Sequence, residues 1–233
     1  MTTANTIQTT RAPQALPHFH GELALVVAVL INSLGVVMML DSGSGISAIS
    51  SVPYAFNRVL PVLTLGTWTY IFQGALILWL MIQRKRFMIS YLLSFVVGFC
   101  FSEMLDVYEL FLPVPSGLAV RVVYFVVSYI LISIGIALSN RCGLPIVPTD
   151  LFPRELSALT GIPYSRIKIG FDASCLIITV LMTLIFLGNL DGLGIGTVLA
   201  ALTMGKVIGW IGEWMDKHFL FVVGRAGKPV SKN

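Results

Sequence analysis

At 233 residues, 56% of them hydrophobic and only 11% charged, the chain has less than half the charged fraction of about 25% usual in soluble domains. Fifteen Lys and Arg with eleven Asp and Glu cannot cover a water-facing surface of this size, and the mean hydropathy is +0.89, so a soluble domain is excluded and the chain reads as an integral membrane protein. The net charge of +4 does not point to nucleic acid, because the basic residues fall between apolar runs and are not interleaved with aromatic residues.

Residues 1–21 carry a single basic residue, Arg11, and no apolar core of signal-peptide type, which predicts a flexible tail ahead of a retained first span. Six runs then reach the roughly 20 residues that cross a hydrocarbon core about 30 Å thick: 23–40, 59–83, 87–102, 122–140, 173–190 and 192–212. None shows the strict alternation of β-barrel strands, so the fold class is all-α integral membrane with six transmembrane helices. The membrane domain covers 22–216, and 217–233 form a basic tail. Twelve Lys and Arg lie on one side of this arrangement, among them Arg84, Arg154, Arg166 and Lys168, and only Arg58 and Arg121 on the other. This excess places both termini in the cytoplasm of a cell whose inner membrane holds the protein as a multi-pass chain.

The halves 22–109 and 121–216 can be superposed as sequences. Ser33-Leu34-Gly35-Val36 matches Ser133-Ile134-Gly135-Ile136 and Pro53 matches Pro153 at an offset of 100 in the numbering. Gln73 faces Asp172, and Gly98 faces Gly205, after slips in the loops. With three spans each, duplicated halves must have inverted topology, the plan of many transporters. After the first and fourth spans comes a short helical signal. Thr149 and Asp150 cap a helix with Pro153 in its first turn and Gly161 at its end, and Ser50 or Ser51 caps a counterpart running through Pro53 and Phe56. Either these helices dip inward and offer their N-termini to an anionic or polar solute, or they lie as amphipathic helices at the interface.

Charges inside the apolar runs are the sharpest functional signal, since each costs about 2.5 kcal/mol or more in lipid. Lys206 interrupts the last span near its middle, and Asp172 enters the preceding one, so an Asp172–Lys206 ion pair is expected, serving either a solute or proton site or the joining of two helices. Glu103, Asp106 and Glu109 share one side of a helix near the outer face, as an entrance for cations or as solvated residues. The candidates for a substrate or ion pathway are therefore Lys206, Asp172, Gln73, Asp150, Glu103 and Asp106. Thr197, Ala201, Gly205 and Gly209 form a row of small residues every four positions, for close packing within the chain or with a second copy in a homo-oligomer.

No metal ligand set emerges around His18 and His20, and the odd set Cys100, Cys142 and Cys175 serves packing. No cofactor motif, phosphate loop or nucleophile with a base is present, so no catalytic residue is named and the chain is not expected to be an enzyme. Gly143-Leu144-Pro145-Ile146-Val147-Pro148-Thr149-Asp150, then Leu159-Thr160-Gly161, then Gly192-Leu193-Gly194-Ile195-Gly196-Thr197, resemble the YczE/YyaS/YitT family of bacterial membrane proteins, most clearly over 130–216. Thr149 replaces the aromatic residue usual before the Asp, so no role of that aromatic carries over. The resemblance implies a multi-span architecture and little chemistry. The expected function is a secondary transporter or permease for a small polar solute or ion, its partners being that solute and the lipid bilayer. A membrane scaffold, assembly or regulatory protein is the alternative.

Overall fold

The computed structural model describes residues 17–85, 88–224 and 228–229. Six helices are long and apolar enough to cross a bilayer: α1 (Gly21–Asp41), α3 (Leu65–Arg84), α4 (Ile89–Phe111), α5 (Leu118–Ser139), α7 (Tyr164–Leu187) and α8 (Ile195–His218). At about 1.5 Å per residue they reach about 30 to 36 Å, the depth of a hydrocarbon core. Two shorter helices, α2 (Ala48–Val59) and α6 (Pro148–Thr160), follow the first long helix of each half. Large apolar side chains such as Leu78, Ile82, Val96, Val123, Ile185 and Leu199 point outward, an arrangement that suits lipid and would be costly in water. Buried in their place are Asn32, Gln73, Asp150, Lys168 and Asp172.

The helices differ from the predicted runs for physical reasons. The fifth span begins at Tyr164, nine residues before its uncharged stretch at 173–190, because Lys168 and Asp172 neutralise each other one turn apart on the same helix. Lys168 therefore lies within a span and is buried, and it does not belong with the loop charges. The third span runs through Glu103 and Asp106 to Phe111, since Asp106 accepts hydrogen bonds from the Thr64 hydroxyl (2.6 Å) and the Gly66 N–H (2.7 Å) at the start of α3. Ser47, not Ser50 or Ser51, stands at the N-cap of α2. Val147 holds that position in α6, which moves Thr149 and Asp150 into the first turn; Gly161 ends the helix in the left-handed conformation expected of it.

Both tails supply strands. β1 (His18–His20) pairs in parallel with β2 (Leu220–Val223), and β2 pairs antiparallel with β3 (Lys228–Pro229), so the two ends of the chain meet on one face, called the tail face. Phe19 packs against Phe219 and Phe221, and the Gly224 N–H donates to Glu22 (2.8 Å), tying the sheet to α1. Residues 18–20 and 220–223 of the two tails thus form strands; residues 1–16, 225–227 and 230–233, which hold the rest of the expected flexible and basic tails, lie outside the described residues.

The long helices alternate in direction. α1, α4 and α7 leave the tail face, and α3, α5 and α8 return to it, as shown by Arg141–Asp216 joining the ends of α5 and α8, and by Asp106 meeting the start of α3 on the opposite face. α1 and α5 cross where the repeated Ser-x-Gly motifs lie. A Cβ on Gly35 would strike Ile132, and one on Gly135 would strike the Asn32 carboxamide, so two glycines allow this approach. Around this crossing α1 packs on α4 and α5 on α8, while α2 lies against α7 and α6 against α3.

Candidate functional site

The short helices are not interfacial. The first six residues of α2 and the first six of α6 are all buried, and each helix runs from the interior out toward one face. Near the end of α2, Arg58 (2.5 Å) and Tyr54 (3.2 Å) both donate to Asp191 on the face opposite the tails. Near the middle of α6, Glu155 accepts from Arg84 (2.6 Å) and Tyr91 (2.8 Å) on the tail side. At 12 and 13 residues, each reaches about 18 to 20 Å, little more than half the membrane.

Their N-termini converge on an internal cavity of about 40 Å³. Ser47 and Ser50 reach it from α2, Thr149 and Asp150 from α6, Asn32 from α1, and Lys168 with Asp172 from α7, against apolar side chains of α4, α5 and α8. The volume suits about three water molecules. Lys168 Nζ donates to both carboxylate oxygens of Asp172 at 2.6 Å, and both side chains are at least 96% buried. Such a pair is internally satisfied and presents no net charge. Asp150 is different: it is 94% buried and makes no hydrogen bond or ion pair among the described residues. Asn32 is 96% buried, its Oδ1 without a partner. The first turn of α2 contains no acidic residue and receives no side-chain cap, so its backbone N–H groups and partial positive charge remain open toward the cavity. The cavity thus joins a carboxylate that no hydrogen bond satisfies, set at its own helix's positive end and near the Lys168 and Arg154 charges, and a helix N-terminus without an acidic residue, both inside the membrane domain.

A larger cleft of about 760 Å³ opens on the tail face, lined by Ser94, Asn140, Arg154 and Tyr164 among others. Leu151 and Ile208 line it, one residue from Asp150 and one turn from Met204 of the cavity wall. The small-residue row of α8 faces this interior. Thr197 packs against Gly45, Ala201 lines the cavity, Gly205 lies against the Lys168 stem and Gly209 borders the cleft. Thr197, Ala201 and Gly205 are buried against the chain's own residues, whereas Gly209 is exposed, with nothing of the chain within 4 Å of a Cβ placed there.

Of the residues singled out from sequence, Asp172 and Asp150 share the cavity. Gln73 sits behind it, wholly buried between Gly98 and Pro148 at the start of α6, with neither carboxamide atom hydrogen-bonded. The expected Asp172–Lys206 pair does not form. Gly205 is the residue of α8 turned toward Lys168, which leaves Lys206 about 100° around the helix and exposed, while Asp172 takes Lys168 from its own helix. Glu103 is likewise exposed, and Asp106 caps α3. Lys168 and Asn32 are not among the residues singled out from sequence, although Lys168 stands four residues before Asp172 and Asn32 is an amide inside a charge-free run, both visible signals. No group of three or more His, Cys, Asp or Glu suited to a metal occurs among the described residues.

Comparison with known proteins names no activity. A family model described as "Family of unknown function (DUF6198)" matches residues 19–213. "Uncharacterized protein YyaS" of Bacillus subtilis (strain 168) is 24% identical over 199 residues, covering 83% of this chain and 93% of that protein. The motif resemblance therefore holds at the level of YyaS-like proteins. No solved structure matches the chain.

Proposed function

The chain belongs to the DUF6198 family, whose description assigns no activity, and on that premise we propose that it is a secondary transporter or permease moving a small polar solute, without chemical change, between inverted three-span halves. We place it in the wider YczE/YyaS/YitT grouping on the motifs given above. The observation that carries the reading is the cavity at the meeting of the two half-membrane helices, where Asp150 and Asn32 are buried without partners. A buried carboxylate that no hydrogen bond satisfies is costly, and a scaffold held together only by packing would have no use for one.

Inversion is supported by helix directions and neighbours. Exchanging α1 with α5, α2 with α6, α3 with α7 and α4 with α8 reverses every direction and turns each packing pair into another existing pair, α2–α7 into α6–α3 and α1–α4 into α5–α8. The cleft and the cavity then form one route, closed at Leu151 and Ile208 in this conformation. Arg84, Lys85, Arg141, Arg154 and Lys217 lie toward the tail face, against Arg58 and Arg121 on the other, which supports a cytoplasmic tail face in the inner membrane. Uptake into proteoliposomes, assayed with a panel of small neutral, cationic, anionic and zwitterionic solutes, tests the function. Saturable uptake of one class, lost in Asp150→Asn, is expected; no uptake of any class, together with a stable co-purifying protein, would favour a scaffold or regulatory role.

A further inference from the structure

The cavity is electrically lopsided. On the α6 side stands the Asp150 carboxylate, in the first turn of its own helix, where it offsets that helix's positive end. On the α2 side the first turn holds Ala48, Ile49 and Ser50 and no acid, so about half a positive charge and the orphan N–H groups stay uncompensated. Ser50 is the counterpart of Asp150 at the repeat offset of 100, and this difference in charge gives the two helix ends opposite character. Lys168 and Asp172 close on each other and add no net charge between them.

A bare anion in this space meets Asp150, and a bare cation meets the α2 N-terminus. A molecule carrying both charges satisfies both ends and leaves the site neutral. Resting on the transport reading for its biological sense, we infer that the central cavity binds a small zwitterion of the α-amino acid class, its ammonium on Asp150 and its carboxylate on the backbone N–H groups at the start of α2. The Asn32 amide and the Thr149 hydroxyl, both on the cavity wall, supply further polar contacts. Room for about three waters limits the ligand to the smallest members, and larger ones require Leu151 and Ile208 to part.

Equilibrium binding of radiolabelled glycine to the full-length detergent-purified protein tests this, with methylammonium and acetate as the two half-charges. Glycine binding at least about 100-fold tighter than either is expected, since each missing charge leaves one end of the site unpaired. Asp150→Asn should weaken glycine binding by a similar factor. Ser50→Asp places an acid in the first turn of α2 and should also abolish binding, so the inference stays testable if the first variant fails to fold. Methylammonium bound as tightly as glycine would overturn the inference in favour of a cation site, and acetate bound as tightly in favour of an anion site. Glycine that does not bind at all overturns it outright. Binding is read without flux, so glycine binding in a protein that moves no solute would sink the transport reading and leave the site standing.

Discussion

Replacing Lys168 by Met removes the one cation lining the central cavity and leaves Asp172 facing Asp150 with no counter-charge. Both partners of the Lys168–Asp172 pair are at least 96% buried and joined by two hydrogen bonds of 2.6 Å, so water cannot take over the role of the ammonium. Breaking such a pair from one side costs about 3–5 kcal/mol. The alternative open to the variant is to protonate the stranded carboxylate. From an aqueous pKa of about 3.9 that costs about 4 kcal/mol at pH 7 but only about 1.5 kcal/mol at pH 5, so the penalty shrinks as the pH falls. For a chain of this size about 2–4 °C accompanies each kcal/mol, which gives a melting temperature lower by about 6–20 °C at pH 7 and by about 3–6 °C at pH 5. Thermal unfolding of the purified protein followed by tryptophan fluorescence reads both values. The double variant Lys168→Met with Asp172→Leu removes the charges together and should recover to within about 1 kcal/mol of the parent. A Lys168→Met protein that melts within about 2 °C of the parent at pH 7, or loses the same amount at both pH values, would refute a buried and mutually dependent pair.

Gly135→Leu would drive a side chain into Asn32 at the α1–α5 crossing, and a loss of at least about 1–3 kcal/mol is expected from chemical denaturation, with poor recovery from membranes. Arg58→Ala removes an ion pair whose arginine is 53% exposed, so denaturation should register less than about 1 kcal/mol. Lys206→Leu replaces an exposed charge near the middle of a span by an apolar group; its melting temperature should equal or exceed the parent's, and its glycine binding should be unchanged. Cysteines introduced at Lys217 and Arg121 in a cysteine-free background should react with an impermeant thiol reagent from opposite sides of intact cells, Arg121→Cys from outside; labelling of both from one side would overturn the arrangement of faces.

The spans were legible because membrane helices are written in long uncharged runs, which local composition records directly. Their ends were not, where charge is cancelled by geometry: Lys168 and Asp172 form one neutral unit, and Asp106 is absorbed by the start of α3. The short helices α2 and α6 were visible through their prolines and Gly161, yet their depth was hidden, because buried and interfacial half-helices share the same composition. Asp150 and Asp172 were found as ionisable groups in the wrong solvent. Lys206 misled for the same reason: hydropathy marks a charge inside a span but does not say which side of the helix carries it, and only the packing of Gly205 against Lys168 turns Lys206 outward. The tail strands β1 and β2 were not foreseen, since three or four residues at the two ends of a chain acquire meaning only when they meet.

A permease built on this plan opens the cavity between its halves to each side of the membrane in turn. In a background with Cys100, Cys142 and Cys175 replaced, Ser50→Cys and Thr149→Cys each place a thiol on the cavity wall, one from each half. Reaction of both positions with a small impermeant thiol reagent is then measured in oriented proteoliposomes, with the reagent added inside or outside. Alternating access requires each position to be labelled from either side; labelling of both from one side alone, or of neither, would contradict it.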